Sequence, residues 1–149
     1  MKKLVCVIIV ISVALIAVSG VLVKTKSDQA AMQQAVDETV KECYMRILDT
    51  MKSTAKNGLS GEEKDLLTAR DIGYGYVLRT MQFSTSFSGN QDFHAICILL
   101  DESTGTDAIY TLSYSDALYD SLLQLYEDNF QNAEAMEKTR TLLEESVVK

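Results

Sequence analysis

The sequence predicts an α+β chain made of an N-terminal transmembrane helix, a long amphipathic helix, a three-stranded antiparallel β-meander and a long C-terminal helix. Three observations predict it. Residues 4–23 carry no charge; two glycine-free stretches, 21–57 and 106–149, repeat apolar residues every three or four positions; and between them the apolar period drops to two.

From Leu4 to Val23 nearly every residue is Val, Ile, Leu or Ala, interrupted by Ser12, Ser19 and Gly20. As a helix this run is ~30 Å long, enough to cross the hydrocarbon core of a bilayer. Its β-branched residues are poor helix formers in water, but in lipid the backbone must satisfy its own polar groups, and an open chain does so only as a helix. Lys2 and Lys3 precede the run, Lys24 and Lys26 follow it, and all 21 acids come after them. The short basic tail therefore belongs inside and the acidic remainder outside. The expected organisation is a cytoplasmic tail at 1–3, a transmembrane anchor at 4–23, an amphipathic helix at 27–57 and the rest of a single extracytoplasmic domain at 58–149. The competing reading is a signal peptide cleaved after Ser19, since Ala17-Val18-Ser19 sets small residues at its end; the chain is then secreted. Against it, Val21-Leu22-Val23 continues the apolar run past that site. Cys6 lacks the preceding small residues of a lipoprotein signal.

The first amphipathic helix is marked by Met32, Val36, Val40, Cys43, Ile47, Met51 and Ala55, with charged residues on its other faces. Ser27 or Asp28 can cap it, unless it runs straight on from the anchor, and Asn57-Gly58 can close it. A shorter helix is opened by Ser60, with Glu63 three residues on, and fills Gly61 to Arg70. Val77, Arg79, Met81, Phe83, Thr85 and Phe87 then alternate with Leu78, Thr80, Gln82, Ser84 and Ser86 as a half-buried strand does. Phe93 to Leu100 is apolar on both parities apart from His94, as in a central strand. Ala108, Tyr110, Leu112 and Tyr114 make the third strand. Ser88–Gln91 and Glu102–Thr106 read as hairpin turns. Leu118, Leu122, Leu125, Tyr126, Phe130, Ala133, Met136, Leu143 and Val147 predict one long C-terminal helix, capped at Ser113 or Ser115.

Composition excludes more than it assigns. The 149 residues suit one domain, and a net charge of -7 excludes a basic nucleic-acid binder. Three cysteines do not make a disulfide scaffold. His94 is the only histidine, and on one strand Cys97 would point to the opposite face, so the two form no nucleophile and base pair. No His or Cys has zinc-ligand spacing. Gly73-Tyr74-Gly75-Tyr76 lacks the third glycine of a dinucleotide loop and precedes a strand rather than following one, so it reads as a bend. These readings predict no enzyme, no cofactor and no metal.

Four weaker features remain. Cys43 and Cys97 both fall on inward faces, and are either two free thiols packed as small core residues or, since an exported compartment permits oxidation, a candidate disulfide. Asp101, Ser103 and Asp107 alternate oxygens like a calcium loop, but the glycine falls at the fifth place and Leu112 stands where the closing glutamate belongs. Between Arg79 and Lys138 lie ten acids and no Lys or Arg, a solvated acidic face or a docking surface for a basic partner. Finally, Phe130, Met136, Leu143 and Val147 form a stripe on a helix longer than the sheet can cover, the expected site of self-association or of another envelope protein. The layout of apolar helix, amphipathic helix and antiparallel sheet resembles that of type IV pilins. The residues that mark that family are replaced here: Lys3 directly precedes Leu4, the first glycine is Gly20 and no acid occurs before Asp28. No family is assigned. The function expected is a membrane-anchored extracytoplasmic interaction or assembly module; the alternatives are a ligand- or cation-binding accessory domain and a secreted hydrolase.

Overall fold

Ser60 opens a helix as its spacing from Glu63 predicts, but that helix runs straight through the glycines expected to end it. The computed structural model describes the backbone of residues 2–56, 60–105 and 115–147, and side chains at 24–53, 60–63, 65–67, 69–104 and 115–146. The elements are α1 (Lys2–Lys56), α2 (Gly61–Met81), a 3-10 turn (Gln82–Ser84), α3 (Gln91–Gly105), α4 (Asp116–Glu127) and α5 (Ala133–Val147). Among the described residues there is no strand, so the chain is all-α and the expected β-meander is wrong. The outline likeness to pilins goes with it. The chain divides into two compact units, residues 1–35 and 36–149; the first is the N-terminal part of α1, and the second holds the core described below.

The region read as the first strand is the end of α2. On the inner side of that helix Asp71, Gly75, Leu78 and Gln82 are buried, at the three- and four-residue spacing of a helix, whereas Arg79 and Phe83 are exposed. Two-residue alternation placed Arg79 and Phe83 with the core and Leu78 against it. Gly75 sits mid-helix because α3 passes too close for a side chain: a Cβ there would fall on Thr104 Oγ1 and 2.9 Å from the Asp101 Cα. The second expected strand is α3. Phe93, Ile96, Cys97 and Leu100 are buried, one helical face whose apolar neighbours made the run look covered on both sides. The Ser88–Gln91 hairpin turn is instead a helix start, with Asn90 Oδ1 accepting from the backbone N–H of Asp92 at 2.8 Å and of Phe93 at 3.3 Å. The Glu102–Thr106 turn is likewise overtaken by α3, which continues to Gly105. The third strand, Ala108–Tyr114, lies outside the described residues.

The single C-terminal helix is two. After Glu127 the chain takes left-handed angles at Asn129 (φ 52°) and Phe130 (φ 55°). The Phe130 N–H donates to Leu125 O at 2.9 Å and the Asn129 N–H to Tyr126 O at 3.1 Å, the paired bonds of a Schellman stop with asparagine in the glycine place. Phe130 carries its unfavourable φ because its ring is held in the core, 5.0 Å from Tyr44, 5.0 Å from Phe87 and 5.3 Å from Phe93. Asn132 then caps α5 through the Ala135 N–H at 3.1 Å. Ser115, one of the two expected caps, opens α4 by accepting from the Leu118 N–H at 3.1 Å.

Val40, Tyr44, Ile47, Leu48 and Met51 bring α1 into a core shared with Leu78, Phe93, Ile96, Leu100, Leu122, Leu125, Met136 and Leu143. Helix α2 packs on α3, and α5 packs on both α3 and α4. Where α4 and α5 meet, the buried hydroxyls of Ser121 and Thr139 bond each other at 2.7 Å. Buried Tyr44 donates its hydroxyl to Leu122 O at 2.9 Å, tying α1 to α4 through a satisfied polar group.

Candidate functional site

The structure disperses most of the residues singled out in the sequence. Phe130, Met136 and Leu143 are at most 2% exposed and belong to the chain's own core; Val147 lies outside the described side chains. That part of the stripe offers no docking surface, because splitting the helix folds it back against α3 and α4. Asp101 and Ser103 are helical rather than in a loop: Asp101 Oδ2 accepts from Arg79 at 3.0 Å, and the buried Ser103 hydroxyl donates to Leu100 O at 2.8 Å. Asp107 lies outside the described residues. Among the described residues no group of three His, Cys, Asp or Glu side chains is placed to hold a metal. Cys43 and Cys97 are both buried free thiols. Burial pushes both thiols up from their ordinary range, with Glu42 adding to the effect at Cys43, which makes each a poor nucleophile. Among the described residues no helix is long and apolar enough to cross a membrane; the Leu4–Val23 side chains are outside them.

His94 is committed to the connection between α2 and α3. Its Nε2 donates to the Ser88 carbonyl at 2.7 Å, and its Nδ1 lies 3.0 Å from Gln82 Oε1. The Gln82 amide is itself oriented by donating to Arg79 O at 2.8 Å. Phe83 lies over the imidazole with ring centroids 4.6 Å apart. Both ring nitrogens thus face oxygens of the loop they hold in place, and neither is turned towards a thiol or hydroxyl nucleophile.

Among the described residues, Asp71 is the one buried acid, and the sequence reading passed over it. It is 1% exposed, with Oδ1 accepting from Thr50 at 3.3 Å and from Arg70 at 3.5 Å, while Oδ2 has no hydrogen-bond partner. Desolvation raises its pKa, and the Thr50 and Arg70 contacts pull against that rise. Arg70 donates to Thr50 at 2.8 Å and stacks over Tyr74, 5.8 Å from the ring centre. The group joins α1 to α2. Its only sequence signature is an acid in register with Gly75 and Leu78 on the inner face of α2.

Among the described residues, large apolar side chains meet solvent at Met32 on α1, at Phe83 beside His94 and, three together, on the outer face of α2. Leu66 is 73% exposed, Ile72 45% and Tyr76 64%, and Ala69 and Gly73 between them are exposed as well. Leu66, Ala69, Gly73 and Tyr76 follow one another at three-, four- and three-residue steps, the seam spacing of a packed helix pair. Nothing lies within 4 Å of the position a Gly73 Cβ would take. Charges of both signs surround the seam, with Glu62, Glu63, Lys64 and Asp65 before Leu66 and Arg70 and Arg79 after it. Expecting a strand from residue 77 on hid this face, because the helix containing Leu66 was then expected to stop at Arg70, before Gly73 and Tyr76.

Comparison with models of protein families, with curated proteins and with solved structures finds no match.

Proposed function

We propose that the chain is a membrane-tethered interaction module acting outside the cytoplasm, a non-enzymatic subunit of an envelope assembly. The observation that carries the reading is the outer face of α2, where two large apolar side chains flank two small residues on a helix that already packs its opposite face on α3. The uncharged run Leu4–Val23, with Lys2 and Lys3 before it and every acid after it, supports the tether and the side. The commitment of His94 to the α2–α3 connection supports association over catalysis.

Two measurements test this. Reporters fused after Lys149 should show phosphatase activity and no cytoplasmic-reporter activity, with the chain resisting alkaline extraction from membranes. A Tyr76→Cys variant should react slowly with a soluble maleimide in membranes and quickly as a diluted, detergent-solubilised monomer. Equal rates in the two states would remove the interaction reading.

A further inference from the structure

We infer that His94 makes the α2–α3 connection a proton-operated clasp, closed while the imidazole carries both its protons and loosened when Nδ1 gives its proton up. The inference is independent of the interaction reading above. Its ground is that both ring nitrogens face acceptors, Nε2 at 2.7 Å from the Ser88 carbonyl and Nδ1 at 3.0 Å from Gln82 Oε1. A neutral imidazole has one N–H and satisfies one of them; the imidazolium has two and satisfies both. Turning the Gln82 amide over does not remove the conflict, because its Nε2 donates to Arg79 O at 2.8 Å and the turn would set Oε1 against that carbonyl. Gln82 is 1% exposed, so bulk water does not make up the missing bond.

The charged groups of the surrounding elements are engaged elsewhere. Asp37 of α1 accepts from the Ser86 N–H at 2.8 Å, Arg79 of α2 donates to Asp101 at 3.0 Å, and Asp92 of α3 accepts from Arg140 of α5 at 2.7 Å. Cys97, three residues along α3 from the histidine, is held as a neutral thiol by burial. None of these bonds the ring, so the two neutral oxygens are what reads the proton. Phe83 covers the imidazole at 4.6 Å between centroids, an aromatic face of the kind that attracts a cation. His94 is half-buried, which leaves its proton in exchange with solvent. When Nδ1 loses that proton, the Gln82 amide must turn to offer an N–H to the bare nitrogen, and it gives up Arg79 O in doing so. Nε2 keeps its proton because its bond is the shorter one and its acceptor, a backbone carbonyl, cannot turn. The effect reaches α1, since Ser86, whose N–H is held by Asp37, lies between the two clasped residues.

The test is nuclear magnetic resonance of the full-length chain in detergent micelles. His94 is the only histidine, so isotope labelling at histidine nitrogens reports this ring alone. On passing from about pH 5 to about pH 8, the range in which histidine side chains change charge, the ring should go from both nitrogens protonated to Nε2 alone. In a uniformly labelled sample the Gln82 side-chain amide signals should shift in step. Over the same range the hydrogen-exchange protection of the Ser86, Ser88 and Asn90 N–H groups, each taken relative to its unstructured rate at that pH, should fall about fivefold, as the loss of one hydrogen bond predicts. His94→Gln keeps a donor for Ser88 O and has no ring proton to lose, so its protection should not change. Gln82→Met should flatten the change while His94 still titrates. Should either variant fail to fold, the ring and exchange spectra of the parent carry the test alone. Unchanged protection in the parent while Nδ1 loses its proton would overturn the inference, and so would a neutral ring that keeps its proton on Nδ1. An equal fall in His94→Gln would also overturn it, by assigning the response to another group such as Asp71.

Discussion

Two glycines two residues apart in α2 should respond to the same substitution in opposite directions. Adding a Cβ at Gly75 would place it on Thr104 Oγ1, 2.9 Å from the Asp101 Cα and 3.1 Å from Asp101 Oδ1. The Asp101 Cα is backbone and cannot swing away, and Thr104 is buried with its hydroxyl donating to Asp101 O at 2.8 Å. Helices α2 and α3 must therefore separate. Overpacking of this kind costs ~1–3 kcal/mol, set against a gain of ~1 kcal/mol from replacing a helical glycine by alanine. Gly75→Ala should lose up to ~2 kcal/mol, and a larger residue there considerably more. At Gly73 no neighbour lies within 4 Å, so Gly73→Ala keeps the whole helix gain, ~1 kcal/mol. Urea unfolding followed by circular dichroism should move the two midpoints apart, with unchanged m-values. Thr104→Ala in the Gly75→Ala background removes the shortest contact and should recover part of the loss, but not all, because the backbone contact stays. A Gly75→Ala variant as stable as Gly73→Ala would refute the close helix crossing.

Other substitutions separate core from surface. Leu143→Asp should unfold the 36–149 unit, since Leu143 is fully buried; the measurement is loss of the cooperative unfolding transition. Phe130→Ala should cost ~3–5 kcal/mol in denaturant titrations, by removing a buried ring in contact with three others. Ser60→Ala should cost ~1 kcal/mol, because Ser60 accepts from the Glu63 N–H while its own N–H and hydroxyl donate to the Glu63 carboxylate, which holds that carboxyl below its usual range. Asp71 has a folded-state pKa above its unfolded value, so its contribution to stability is fully present below the unfolded pKa and is lost as pH rises through the folded one. Asp71→Asn should thus compare most favourably with the parent at pH 7 and progressively less so towards pH 4. A difference that does not change with pH would mean that the carboxyl is not desolvated.

What the sequence made legible was carried by polar caps and by long apolar stripes. Ser60 with Glu63, Ser115, and the inward residues Val40, Cys43, Ile47 and Met51 all stand where their spacing put them. The β-meander was misread for a physical reason: Phe93–Leu100 is as apolar as a buried strand, and a short run of that kind has no period to distinguish it from a buried helix face. Asn90, seven residues before Cys97, was the overlooked helix start. Glycine was trusted as a helix breaker at positions 73 and 75, although a helix pressed against another accepts it where a side chain does not fit. The reverse error came at Asn129, where a chain without a nearby glycine was taken to continue as one helix, while asparagine supplied the left-handed residue. Splitting that helix moved Phe130, Met136 and Leu143 from a proposed docking stripe into the core.

The segment Gly73-Tyr74-Gly75-Tyr76 places two glycines with different surroundings on one helix. At 3.6 residues per turn, positions two apart are rotated by ~200°, so the two glycines face nearly opposite ways. Gly75 faces α3 and is needed for the close crossing that sets the inner face. Gly73 faces outward with Tyr76, where nothing in the folded chain needs it small. Glycine there costs the helix ~1 kcal/mol relative to alanine, and no contact within the folded chain offsets it. The same geometry makes the two faces separable by substitution: bulk at Gly75 acts on the α2–α3 crossing, and bulk at Gly73 leaves that crossing untouched.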